Sequence, residues 1–160
     1  MLSTLYNTLG SVLVVGGPSY TALINEDPKK MAGRCKVYEW DVKASKYELI
    51  HSILGQRKYE KIGVSAAVSD DGNVVVCGGN KGRWGANHMG VSGDVRLWNR
   101  ESLNSKILWP EGESRLIVDE ALFGASITLS NDGLLFVGAP GWIGSNEDSP
   151  GSVHIFDHEW

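Results

Sequence analysis

A pattern that recurs twice at a near-constant spacing is the strongest constraint on what this chain can fold into. Val14-Val15-Gly16-Gly17-Pro18 aligns with Val75-Val76-Cys77-Gly78-Gly79 and again with Phe136-Val137-Gly138-Ala139-Pro140, the three copies starting at positions 14, 75 and 136. Ile62-Gly63-Val64-Ser65 aligns with Phe123-Gly124-Ala125-Ser126 at the same offset. Between them fall two matching turns, Ser69-Asp70-Asp71-Gly72 and Ser130-Asn131-Asp132-Gly133. Further along, Gly33-Arg34-Cys35-Lys36-Val37-Tyr38 repeats as Gly93-Asp94-Val95-Arg96-Leu97-Trp98 and as Gly151-Ser152-Val153-His154-Ile155-Phe156, at slightly shorter offsets. A fixed period of this length means one supersecondary unit stacked on copies of itself. The small changes in offset place the length variation in loops.

Each unit reads as four strands. In the second they fall at 63–69, 73–78, 93–99 and 105–109, in the first at 3–6, 12–17, 34–40 and 47–54. The third offers 124–130, 134–139 and 152–157, with no fourth strand. Asp71-Gly72 and Asp132-Gly133 are hairpin signals, because glycine takes the positive φ of a tight turn. The third strand of each unit alternates, with Cys35 and Val37, Val95 and Leu97, Val153 and Ile155 on one face. The second strand is apolar on both faces, so both must be covered. The first carries the small residues Ser65-Ala66-Ala67 and Ala125-Ser126, as a crowded inner strand requires. No helical period occurs.

Four-stranded antiparallel sheets repeated at such a spacing and sandwiched between neighbours are β-propeller blades. The sequence thus predicts an all-β chain of about three blades, at 1–61, 62–122 and 123–160, the last incomplete. Three blades cannot close a ring. The expectation is a fragment of a longer polypeptide or an obligate assembly, for instance two copies completing about six blades.

Phe123-Gly124-Ala125-Ser126, Asp132-Gly133, Val137-Gly138-Ala139-Pro140 and Gly151-Ser152-Val153-His154-Ile155-Phe156 resemble the FG-GAP repeat of integrin-α-type β-propellers. The resemblance covers nearly the whole chain. In the second copy FG becomes Ile62-Gly63 and GAP becomes Cys77-Gly78-Gly79; the first keeps Gly16-Gly17-Pro18 without an FG. It implies a seven-bladed fold and a role in adhesion and protein–protein contact. Many members bind calcium in an Asp-x-Asp-x-Asp-Gly loop, but Asp70-Asp71-Gly72 and Asn131-Asp132-Gly133 supply too few oxygens for a six- to eight-coordinate ion. No metal or cofactor is expected. The doublets Gly16-Gly17 and Gly78-Gly79 also resemble kelch repeats, which the period disfavours. Trp40-Asp41 is the sole WD dipeptide and lacks an upstream Gly-His partner.

Composition narrows the partners. With 42% hydrophobic and 21% charged residues the chain is globular, and its 20 glycines fit many tight turns. The net charge is −4, and the densest basic pairs are Lys29-Lys30 and Arg57-Lys58. That leaves no electropositive face for nucleic acid and no polybasic membrane patch. No apolar run reaches membrane-spanning length. Residues 1–17 lack the basic start of a signal peptide and read as a strand. Cys35 and Cys77 lie in apolar strands and read as buried reduced thiols. Those thiols and the absence of N-x-[ST] sites lean intracellular, whereas the family resemblance leans towards surface or secreted proteins.

In such sheets the long connections, 18–32, 55–61, 80–92, 110–122 and 141–150, all fall on one face. Exposed aromatic, Arg, His and Met residues there are interface candidates: Tyr20, Arg83, Trp84, His88, Met89 and Trp142. Glu26-Asp27 and Glu147-Asp148 read as solvated acids. Catalytic residues are not expected. Gly78-Gly79-Asn80-Lys81-Gly82 has no helix after it to make a phosphate loop, the four histidines are scattered, and there is no Gly-x-Ser-x-Gly elbow. The reading is a non-enzymatic protein-interaction or adhesion-type module using the long-loop face or an open blade edge. The alternative is part of a larger propeller enzyme or carbohydrate-binding propeller whose site needs further blades.

Overall fold

The computed structural model describes residues 3–7, 9–80, 93–108, 121–142 and 151–157. Their regular structure is β-sheet throughout, in several antiparallel sheets. β1 (Ser3–Tyr6) and β2 (Val12–Gly16) are followed by a small hairpin of β3 (Ala22–Ile24) and β4 (Asp27–Lys29), then by β5 (Arg34–Asp41) and β6 (Lys46–Leu54). β7 (Ser65–Val68), β8 (Val74–Gly79), β9 (Asp94–Asn99) and β10 (Ser105–Leu108) form the second group, and β11 (Ser126–Leu129), β12 (Leu135–Ala139) and β13 (Ser152–Phe156) the third. The sheets run β1-β2-β5-β6, β7-β8-β9-β10 and β11-β12-β13. The β3–β4 hairpin lies inside a segment read from sequence as a loop.

The first hairpin of each of the three larger sheets closes in one way. The last polar side chain before the turn (Asn7 Oδ1, Ser69 Oγ or Ser130 Oγ) accepts a hydrogen bond of 2.9 Å from the first backbone N–H after it, on Val12, Val74 or Leu134. The turns differ in length. Four residues separate Asn7 from Val12 and Ser69 from Val74, but three separate Ser130 from Leu134.

That one residue corrects the sequence alignment. Cys35 pairs with Gly16, Val95 with Gly78 and Val153 with Gly138. Gly16, Gly78 and Gly138 are therefore equivalent, and the sequence match of Gly16 and Gly138 with Cys77 is slipped by one. Such a slip moves every side chain to the opposite face.

With the register set, the packing follows. Val12, Val14, Cys35, Val37 and Ile53 of the first sheet meet Val68, Val75, Cys77 and Trp98 of the second. The opposite face of the second sheet, with Val76, Val95, Leu97 and Leu108, meets Leu135, Val137 and Ala139 of the third. β8 is covered on both sides, as its unbroken apolar run requires. Phe123 and Ile62, each leading into a sheet, are fully buried in these cores. Each touches the glycine before the preceding sheet's third strand, through the isolated parallel bridges Gly33–Ile62 and Gly93–Phe123. Those glycines have φ of 80° and 92°, and a methyl group on either would overlap the neighbouring backbone. Only glycine fits.

Cys35 and Cys77 are not free thiols. They form a disulfide between β5 and β8, across the first core, with Cα atoms 6.6 Å apart. The reduced-thiol argument for an intracellular compartment falls with that correction, since disulfides persist where conditions are oxidising.

Candidate functional site

Behind the same core lies a buried ionic cluster. Glu60 and Asp94 have fully buried side chains, and Arg96 is 7% exposed. Glu60 closes the turn that enters the second sheet. Its carboxylate accepts from the backbone N–H groups of Gln56 (2.5 Å) and Arg57 (3.1 Å), from Arg57 Nε (3.2 Å) and Nη2 (2.9 Å), and from Arg96 Nη2 (2.6 Å). Asp94, at the start of β9, is less well served. Its Oδ2 meets Arg57 at 2.7 Å and Arg96 at 3.4 Å.

The two carboxyls are pushed apart in acidity. Burial is the largest effect on both. In Glu60 it is outweighed by the hydrogen bond from Asp94 and by the two guanidinium groups, which hold its pKa down at about 2. In Asp94 burial and the hydrogen bond to Glu60 prevail over the arginines and raise it to about 7. Below about pH 7 Asp94 therefore favours holding a proton while Glu60 stays ionised.

Opposed acidities of this kind also mark acid–base pairs in active sites. Here both carboxyls are sealed in, and the cluster clamps the entry turn of the second sheet to β9 of that sheet. Its outlet is Arg96, which lines a groove of about 390 Å³ between β6 and β10.

A β-bulge builds the groove wall. Val37 pairs with His51 but Tyr38 pairs with Leu49, so Ile50 is an extra residue in β6. Tyr47 and Leu49 therefore share a face with Trp40 and Tyr38, whereas His51 and Ile53 share one with Val37 and Cys35, towards the second sheet. His51 stacks on Trp98 with ring centroids 4.3 Å apart and planes 7° from parallel. Burial depresses its pKa.

The end sheets offer different surfaces. Val153 and Ile155 of β13 are 65% and 61% exposed, while Val95 and Leu97, at the same register positions in β9, are 0% and 2%. At the other end the first sheet exposes Tyr6, Trp40 and Leu49. Tyr47 packs against Tyr6 and Trp40 at centroid distances of 6.5 and 5.1 Å.

Of the interface candidates read from sequence, Arg83, Trp84, His88 and Met89 lie outside the described residues. Tyr20 is a third exposed and lies under the Arg34 guanidinium, 3.9 Å from the ring centroid. Trp142 is partly buried against the second core and meets His154 edge to face at 4.5 Å. These two make separate contacts and form no common site. Sequence reasoning missed Glu60, Asp94, Arg96 and the groove. A usable signal was present, since Glu60 aligns with Ala121, a buried apolar position in the next copy. An acid in such a place needs a cationic partner.

No protein-family model matches the chain, and a search of curated proteins finds none that matches it.

Proposed function

We propose that the chain is a run of β-propeller blades acting as a non-catalytic protein-interaction module, and that its third sheet binds a further blade supplied by a second copy. The observation that carries this reading is the exposure of Val153 and Ile155, whose counterparts in the other sheets are buried beneath the next sheet. Covering two such side chains stabilises by roughly 1.5–3 kcal/mol each.

The glycine contact supports it too. Gly33 and Gly93 each receive the leading residue of the following sheet, and Gly151 also has a positive φ, of 96°, with the Pro140 backbone nearest among the described residues. The exposed first-sheet face around Tyr6, Trp40 and Leu49 occupies the place that Val68, Val75 and Trp98 fill in the second sheet, and so suits the role of incoming partner. The FG-GAP-like motifs point the same way. Third-sheet face against first-sheet face is a head-to-tail contact, which closes into a ring when the rotation allows.

Sedimentation equilibrium tests the proposal. The chain is expected to associate with rising concentration, and a Val153→Glu/Ile155→Glu variant with unchanged circular dichroism is expected to stay monomeric. A native chain that remains monomeric at tens of micromolar would overturn it.

A further inference from the structure

We propose that the groove between β6 and β10 docks an extended peptide segment carrying a carboxylate, held by Arg96 and Lys106. The groove lies between the first and second sheets, away from Val153 and Ile155, and the proposal does not depend on the propeller reading.

The charge of the lining comes first. Among the described residues, Arg96 and Lys106 are its cationic members and no Asp or Glu lines it. Glu60 and Asp94 lie behind Arg96, and both of its ion pairs run through Nη2. Arg96 Nε has no acceptor among the described residues although it is buried. An unmet buried donor costs about 1–3 kcal/mol, and more on a charged group. A carboxylate in the groove meets a guanidinium whose protein partners leave part of it unused, which is the pairing that gives the stronger class of hydrogen bond.

The shape selects a peptide over a small acid. Side chains from both faces of β6 line the groove, His51 and Ile53 from one and Ser52 and Leu54 from the other. The same holds for β10, with Ser105 and Ile107 on one face and Lys106 on the other. The space therefore wraps the rims of both strands. β6 and β10 are the terminal strands of their sheets, each with one edge unpaired among the described residues. An extended chain satisfies such an edge with its own backbone, while Ile53, Leu54 and Ile107 receive its apolar side chains. The occupant is then a segment of alternating acidic and apolar residues.

Fluorescence anisotropy with three labelled peptides tests this: an alternating Glu/Val peptide, its Gln/Val counterpart and a Lys/Val counterpart. The Glu/Val peptide is expected to bind at least tenfold more tightly than either control, and to weaken as salt is raised from 50 to 300 mM. Lys106→Glu, a change at an exposed position, is expected to weaken it at least tenfold, and Arg96→Gln to abolish it. Equal affinity for the Glu and Gln peptides would overturn the proposal, as would binding that Lys106→Glu leaves unchanged. Displacement by succinate at the peptide's own concentration would show a site for free carboxylates, and would overturn the peptide assignment.

Discussion

At the scale of single residues, the opposed acidities of Asp94 and Glu60 make stability depend on pH in a defined direction. The raised Asp94 contributes stability that is complete below its ordinary value of 3.8 and is lost as pH rises through about 7. The lowered Glu60 contributes stability that is complete above 4.5 and is lost as pH falls towards about 2. Together they place the optimum for this cluster between pH 4 and 5. The urea midpoint of the native chain is expected to fall from pH 5 to pH 8. Asp94→Asn, which copies the protonated side chain, is expected to hold its midpoint across that range and to exceed the native value at pH 8. Little of this was legible beforehand. Glu60 and Asp94 belong to separate stretches of the chain, and each alone reads as a surface acid; only the folding of the second sheet's entry turn against β9 brings them together.

At the scale of elements, the strands of the three sheets were readable because they rest on local signals. Hairpin turns, alternation along β5 and β9, and the apolar run of β8 each leave a mark within a few residues. The register was not readable, for a physical reason. Val74-Val75-Val76-Cys77 is apolar at every position, so the pattern has no parity and a slip by one leaves it unchanged. The four-residue turn in the second sheet and the three-residue turn in the third settle the matter. The bulge at Ile50 was hidden in the same way, because β6 mixes polar and apolar residues on both faces. The glycines before β5 and β9 show how strictly these elements are joined. Gly93→Ala forces a side chain into a positive-φ position and against the Phe123 backbone, and is expected to destabilise by ~2 kcal/mol or more. Gly151→Ala places its methyl 2.9 Å from the Pro140 carbonyl oxygen, a looser approach than that of Gly93→Ala to the Phe123 oxygen, and is expected to cost less, a difference that thermal unfolding of the two variants would measure.

At the scale of the whole molecule, stability resides between the sheets, in two successive cores that each need a neighbour. The Cys35–Cys77 disulfide ties the first pair together across 42 residues. In the loop-entropy account a closure of that length contributes about 4 kcal/mol. A Cys35→Ala/Cys77→Ala variant is therefore expected to unfold at clearly lower urea, whereas the third sheet, joined to the second by packing, the Gly93–Phe123 bridge and a hydrogen bond from Ser65 Oγ to the Gly124 carbonyl, has no covalent brace. The same bridge reshapes how the molecule responds to tension. A pull applied at residues 3 and 157 passes from Cys35 to Cys77 through the sulfur atoms, and the intervening segment bears none of the load. Roughly 140–150 Å of extended chain is withheld from stretching. The pull then loads β1 and β2 at one end and the third sheet at the other, while the segment between the two cysteines is shielded from it.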